Sequence, residues 1–547
     1  MLVHLKNGGT SLVLRQVEDT FEIVHWGSAL PEIDEKSLTI AGRAVMHGAL
    51  DVNPGNLILR EHSRGWIGHP ALRGHRSGKS VANWFVCKNV DAKKDSATIV
   101  LEDKTAGLEI SIQYILDAHG ILKINSKVTN IADGDYTIEH LLNWLPLAPQ
   151  ADEILDFYGH WTKERQPQRR EIGYGLTTRE GFEGRSGHDY TITQIALTKA
   201  TNFNQGEAWS MGVAWSGNNI HHVEKLIDRS KSIGAGEYLL PGEVILAKGE
   251  SYEAPAVIAG YSANGLDGIT NAHYGHIRAR KNHPSRPRPL TLNMWEAVYF
   301  DHNFEKLSAM VEKAAEIGVE RVVLDDGWFG ARRDDKQGLG DWVVSKDVWP
   351  NGLKPLADLV NSKGMEFGLW FEGEMIQIDS DVYRAHPDWV LQETGRMPVA
   401  GRAQQVIDLT NPGAYSHVLE QVDAVLKSCK ISYIKWDHNR WLTDPISGGR
   451  AVVRKQTQAI YNLFDELKKR NPGLEIESCS SGGGRIDLGM INHADRFWTS
   501  DQNDPLERQY IQRWTAMVIP PEMLGTHVGP THGHQTHRTA EISFRIC

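Results

Sequence analysis

Two short stretches of this chain each put a carboxylate where an apolar strand runs out: Lys435-Trp436-Asp437-His438-Asn439-Arg440 and Trp498-Thr499-Ser500-Asp501-Gln502-Asn503-Asp504. An ionised side chain is costly away from water, so a strand ending on Asp beside Lys, Trp and Asn points to a site rather than to core. Cleaving a glycosidic bond with retention takes two such groups about 5 Å apart, one ionised to attack the anomeric carbon and one protonated to release the departing oxygen. Asp437 suits the first role, because Lys435 lies two residues earlier on the same strand face, and a nearby ammonium favours the ionised acid. Asp501 suits the second, with Asp504 and the apolar Phe497 and Trp498 expected to raise its pKa. The structural alternative pairs the two acids with Arg440 and Arg508 as ordinary strand-end ion pairs. Two such acids with these neighbours favour chemistry.

Other segments repeat the pattern. Asp325-Asp326 precedes Gly327-Trp328-Phe329, and adjacent like charges persist where both accept hydrogen bonds, as from sugar hydroxyls. A metal site, or a helix cap formed by Asp326, is the alternative, and no His stands at ligand spacing. In Glu477-Ser478-Cys479-Ser480-Ser481-Gly482-Gly483-Gly484-Arg485, consecutive glycines permit close backbone approach to a ligand, without the Lys-Ser/Thr ending of a phosphate loop. Cys479 with His527 forms no recognised nucleophile motif. The histidines of Thr531-His532-Gly533-His534-Gln535-Thr536-His537 read as loop polarity or substrate contact, with zinc as an alternative.

The elements that must position these residues follow from periodicity. Up to about residue 275 the pattern alternates with period two, as in Leu108-Glu109-Ile110-Ser111-Ile112-Gln113-Tyr114, which predicts a large antiparallel β-sandwich. Three prolines in Pro284-Ser285-Arg286-Pro287-Arg288-Pro289 then break every periodicity. Beyond them strands and amphipathic helices alternate, with strands expected at 290–296, 321–326, 366–372, 404–409, 432–437, 474–479, 496–501 and 523–528, and helices at 303–317, 415–428 and 453–469. Eight strands in this rhythm predict a (β/α)8 TIM barrel whose strand C-termini share one mouth. The expected division is an N-terminal β-sandwich over 1–278, a linker over 279–289 and a catalytic barrel over 290–547. Because the chain ends at Cys547 just after the eighth expected strand, the barrel is expected to be incomplete there, lacking its last helix.

Bulk properties exclude several classes. A net charge of −10 supplies no positive field for a polyanion, so nucleic acid is not an expected partner. No run approaches the roughly twenty apolar residues that a spanning helix needs, and membrane insertion is not expected. Cys87, Cys429, Cys479 and Cys547 match neither a zinc site nor a disulfide framework and read as reduced thiols of a cytoplasmic protein. The 17 Trp residues lean toward carbohydrate, since sugar faces stack on aromatic rings.

Five ordered segments, Asn293-Met294-Trp295-Glu296-Ala297-Val298-Tyr299-Phe300, Leu324-Asp325-Asp326-Gly327-Trp328-Phe329-Gly330, Lys435-Trp436-Asp437-His438-Asn439-Arg440, Cys479-Ser480-Ser481-Gly482 and Trp498-Thr499-Ser500-Asp501, resemble the motifs of glycoside hydrolase family 36, the bacterial α-galactosidases. The resemblance implies a retaining α-galactosidase acting on small oligosaccharides such as melibiose and raffinose, with no cofactor and no metal. It implies Asp437 as nucleophile and Asp501 as acid/base. It further implies contact with the terminal galactose by Trp295, Asp325, Asp326, Arg402, Lys435, Asn439, Cys479 and Gly482, and by Trp161 from the N-terminal domain. Relatives of this type are often tetramers, so a homo-oligomer is expected for a full-length form. An α-N-acetylgalactosaminidase, decided by room beside Cys479 and Gly482, and a catalytically impaired sugar-binding fragment are the alternatives. Gly373 stands where the family usually has Pro, which is expected to loosen that turn. The segment from Trp66 to Arg76 carries no clear acidic contact of the kind some relatives place there.

Overall fold

The computed structural model describes residues 1–34, 38 and 50–529, so the histidine-rich segment 531–537 and the chain end lie outside the described residues. The period-two segments form antiparallel strands: Ser96–Asp103 and Leu108–Leu116 bury alternate residues along their whole length. They belong to a ten-stranded sheet, which shares one apolar core with a four-stranded sheet that includes Asn143–Leu147 and Lys231–Glu237. One outer edge of the large sheet is the hairpin Ala151–His160 and Lys163–Glu171.

A helix that the alternation did not reveal, Gly265–Arg278, closes this half. It buries Leu266, Ile269 and Ile277 in a cluster that also holds barrel residues such as Val311 and Phe497, so the apolar interior is continuous between the two halves. The proline-rich stretch that follows is stapled rather than loose: Arg286 pairs with Glu366, Arg288 with Glu477, and Arg280 donates to the Ile491 carbonyl.

Six parallel strands then pair in chain order: β1 (Thr291–Asn293), β2 (Arg321–Leu324), β3 (Glu366–Phe371), β4 (Tyr433–Trp436), β5 (Glu475–Ser478) and β6 (Arg496–Phe497). A parallel bridge from Phe497 to Leu524 continues the curve beyond β6. Helices Phe304–Glu316, Pro412–Ser428 and Val453–Arg470 lie where periodicity placed them. Parallel strands with intervening helices make this a barrel of the TIM type.

Two of the eight expected strands differ: 523–528 is no strand, since its start ends the 3-10 turn Pro521–Met523 and only Leu524 bridges to Phe497, and a second is displaced. Segment 404–409 does not enter the barrel, because β3 pairs directly with β4 from Gly368↔Tyr433 to Phe371↔Trp436. Gln405–Val406 instead pairs antiparallel with Met375–Ile376 above the barrel rim. Val406, Ile407 and Leu409 are buried there, and a short apolar run reads the same in either place. Asp437 therefore follows the fourth strand and Asp501 the sixth, not the fifth and seventh.

Gly373 also differs from expectation. A Cβ there would lie 2.4 Å from the Trp436 ring, so the turn is closely packed against that indole rather than loosened. At the opposite end of the strands, Arg321 is fully buried between Glu366 (2.6 Å) and Glu475 (2.8 Å), and Arg496 reaches Glu475 at 3.2 Å. Burial alone would raise the Glu475 carboxyl, but these guanidinium groups hold it down to about 2.

Candidate active site

Asp437 is the first residue beyond β4, and its carboxylate is buried among donors. Oδ1 accepts from the N–H groups of His438 (2.8 Å) and Ser481 (3.1 Å), and Oδ2 accepts from the Trp370 indole at 3.2 Å. Burial pushes its pKa up. Lys435 leads the groups that overcome burial, followed by the Asn439 amide and Arg402, and the net displacement is below the usual carboxylate range. Lys435 is itself buried, 3.1 Å from Asp325, with its ammonium 4.0 Å from the centre of the Trp498 ring.

Asp501 lies on the turn after β6. Its Oδ1 accepts from the Trp498 indole at 2.7 Å and its Oδ2 from the Trp161 indole at 2.9 Å. Burial is the largest influence and raises its pKa; the negative charge of Asp437 adds to this, Lys435 and the two indoles oppose it, and the net direction is up. Burial among apolar neighbours is expected from sequence, whereas the like charge comes from Asp437 and not from Asp504. Asp504 turns away to cap helix Pro505–Thr515, accepting from the N–H groups of Leu506 and Glu507. Trp498 donates a hydrogen bond that by itself favours the ionised form. Nor do the arginines of the structural alternative engage the two acids: Arg440 bonds to Gln404 and Thr443, and Arg508 donates to the carbonyls of Ser500 and Gly525.

Both carboxylates line one cavity of about 1,720 Å³. Of the residues singled out from sequence, Trp161, Trp295, Asp325, Asp326, Arg402, Lys435, Asp437, Asn439 and Asp501 line it, together with Trp370, Ser481 and Trp498. Cys479 and Gly482 lie behind the wall. The Cys479 thiol is buried, and desolvation and the Asp437 charge push it well above its ordinary pKa, so it is a neutral thiol. Gly482 adopts φ +79°, and a Cβ on it would stand 2.6 Å from the Asp501 backbone nitrogen, so only glycine lets the β5 and β6 turns approach this closely.

The acidic pair after β2 is divided by function. Asp325 accepts from Asn293 (2.6 Å) and Lys435 (3.1 Å), which ties strands β1, β2 and β4 together at their ends. Asp326 is held by the guanidinium of Arg332, with contacts at 2.9, 3.2 and 2.7 Å. Burial nevertheless raises the pKa of Asp326. Arg402 and Ala403 are consecutive non-glycine residues at φ +54° and +58°, a strained turn that brings the Arg402 side chain to the cavity.

Three supporting residues were given no role from sequence. Arg332 is one. Glu372, fully buried after β3, accepts from the Asn439 N–H at 2.6 Å and the Gln404 amide at 3.1 Å; burial and the Asp437 charge push it up to about 8. Glu164, from the N-terminal hairpin, is buried against the turn that carries Asp501. Glu372 stands in the segment Trp370-Phe371-Glu372 and was legible as a strand-end acid, whereas nothing in the sequence around Glu164 or Arg332 marked them. Two further acids, Asp408 and Glu477, face elsewhere, Asp408 accepting from Thr410 and Ser447 and Glu477 pairing with Arg288. Among the described residues no cluster of three or more His, Cys, Asp or Glu is arranged to hold a metal ion, and no helix is long and apolar enough to cross a membrane.

A TIM-type barrel whose mouth sets two carboxylates of opposed proton affinity around one cavity has the architecture of a glycoside hydrolase. Sequence comparison agrees: residues 19–247 match the glycosyl hydrolase family 36 N-terminal domain and residues 251–547 match the Melibiase family. An α-galactosidase of Escherichia coli is 38% identical over 96% of this chain, which spans 74% of that relative. The α-galactosidase AgaA of Geobacillus stearothermophilus is 35% identical over 86% of this chain, which spans 66% of it. A crystal structure of an AgaA variant in complex with raffinose superposes with a TM-score of 0.93 at 28% identity, covering 100% of this chain and 82% of that one. The chain belongs to glycoside hydrolase family 36.

Proposed function

We propose that this chain is a retaining α-galactosidase that removes terminal α-galactosyl residues from small oligosaccharides of the melibiose and raffinose type. The observation that carries the proposal is the opposed displacement of two carboxyls in one cavity, with Asp437 below and Asp501 above the ordinary range. Environments that push two acids apart in this way assign the ionised and the protonated partner. Asp437 attacks the anomeric carbon as Asp501 gives its proton to the departing oxygen. Asp501 then takes a proton from water, the water oxygen bonds to the anomeric carbon, and the Asp437 ester is released.

The Trp161, Trp295, Asp325, Asp326, Arg402, Lys435 and Asn439 side chains hold the terminal galactose, with Cys479 and Gly482 shaping the wall behind it. AgaA variants have been crystallised with raffinose, with stachyose and with 1-deoxygalactonojirimycin, which supports galacto-oligosaccharides as the substrate class here. The same proposal places the domain boundary in 279–289, the protein in the cytoplasm, on the strength of the free thiols of Cys87, Cys429 and Cys479, and its assembly as a homo-oligomer.

Asp437→Asn and Asp501→Asn test the catalytic assignment. Each is expected to lower kcat on raffinose by at least about 10²-fold, and proton NMR of the first turnovers should show α-galactose as the initial product. A variant retaining more than about a hundredth of kcat, or β-galactose formed first, refutes the assignment.

A further inference from the structure

The hairpin between Ala151–His160 and Lys163–Glu171 belongs to the N-terminal half, yet its tip is built into the barrel mouth. Trp161 donates to Asp501 itself, and the Thr162 carbonyl accepts from the Gln502 amide at 3.0 Å. Glu164 has no exposed surface; its Oε2 accepts from the Ser500 hydroxyl at 2.6 Å and its Oε1 from the Gly483 N–H at 3.2 Å. Arg165, also buried, donates to the Gly483 carbonyl at 3.0 Å. One short stretch of the N-terminal half therefore holds Ser500, Asp501, Gln502 and Gly483.

A buried carboxylate costs stability unless its acceptors are used, and an apolar residue of similar volume would fill this space more cheaply. The two groups that Glu164 engages lie on separate barrel turns: Ser500 immediately precedes Asp501, while Gly483 follows the turn whose Ser481 N–H donates to Asp437. Gly482 lies between them, with its would-be Cβ 3.0 Å from Glu164 Oε1 and 2.6 Å from the Asp501 nitrogen. Glu164 thus spans the gap between the two turns at the place where their separation fixes that of the two carboxyls.

We propose that Glu164 is a positioning residue for the general acid, setting the placement of Asp501 relative to Asp437 through Ser500 and Gly483. The proposal rests on the assignment of Asp501 as acid/base. Its consequence is selective: misplacing the acid penalises substrates whose leaving group must be protonated and spares those whose leaving group needs no proton.

The test compares kcat/KM on methyl α-galactoside with kcat/KM on 2,4-dinitrophenyl α-galactoside, since this ratio reports the bond-breaking step. Glu164→Ala is expected to lose at least about 30-fold on the first and less than about 3-fold on the second, with the basic limb of the kcat/KM profile shifted downward as water reaches Asp501. Glu164→Gln, which can bond to both partners after Ser500 turns its hydroxyl, should restore most of the loss. Ser500→Ala removes the same bond from the barrel side and should show the same selectivity, so the result does not depend on one variant folding. Equal losses on both substrates, or no loss, overturn the proposal. Asp501→Ala is the reference: if it shows no leaving-group selectivity, the acid/base assignment fails, and if it does while Glu164→Ala and Ser500→Ala do not, only the present inference fails.

Discussion

Gly482→Ala perturbs the mouth where the β5 turn meets the Asp501 backbone. The added methyl would stand 2.6 Å from the Asp501 nitrogen and 3.1 Å from the Ser500 Cα, whereas ordinary contact begins near 3.4 Å. Either turn must therefore move by about 0.8 Å, and a displacement of this order at a catalytic group costs about 10²-fold in rate. The left-handed backbone adds about 1–2 kcal/mol of strain for a residue with a Cβ. Gly473 supplies the matched control, because it has φ +88° with nothing within 4 Å of its would-be Cβ. Gly473→Ala carries the strain alone, and the difference between the two variants isolates the overlap. Steady-state kinetics on methyl α-galactoside, whose leaving group must be protonated, and thermal unfolding should show both variants melting a few degrees lower, with kcat/KM down about 10²-fold only in Gly482→Ala. Retention of more than about a third of wild-type kcat/KM by Gly482→Ala would refute the claim that this contact fixes Asp501.

Two further outcomes follow from buried titratable groups. His140, His188, His221, His222 and His273 are each pushed by burial from 6.5 down to about 3, so unfolding takes up their protons and stability is lost as pH falls from 6.5 toward 3. Between about pH 5.5 and 4 the unfolded chain holds these five protons and the folded one does not, a limiting slope of about 7 kcal/mol per pH unit, so urea midpoints should fall steeply over that range; a midpoint flat across pH 4–6 contradicts it. On the alkaline side Glu61, Glu237 and Glu372 are raised to about 7, 7 and 8, and stability falls as pH rises from 4.5 through those values. Glu372 is therefore neutral near pH 7, so Glu372→Gln should keep activity within about 3-fold, whereas Glu372→Ala strands the Asn439 N–H and the Gln404 amide at about 1–3 kcal/mol each. Activity of the two variants at pH 7, alongside urea titrations, separates these outcomes.

The polar residues around the two cavity carboxyls were legible because their types are costly anywhere else. Asp437, Lys435 and Asn439 stand out as polar side chains at the end of an apolar strand, and they do line the cavity with Asp501. Strand order was less legible: Val406-Ile407 looks like a buried strand by composition, and only the hydrogen bonds between β3 and β4 exclude it from the ring. The contribution of Trp161 came from family resemblance, since no local pattern says that a hairpin tip 340 residues before Asp501 will reach it. Glu164 and Arg332 sit in segments rich in charged residues, where a buried ion and a solvated one look alike until the tertiary contacts are known.

The two halves of the molecule are fastened at both poles of the barrel. The hairpin tip clamps the rim, while Arg286 and Arg288 of the connecting stretch are bolted to Glu366 and Glu477 along the strands. A change in how the hairpin sits would therefore be felt at Ser500, Asp501 and Gly483 directly. A barrel severed from its N-terminal companion would lose the hydrogen bonds that Trp161, Thr162, Glu164 and Arg165 make to Asp501, Gln502, Ser500 and Gly483.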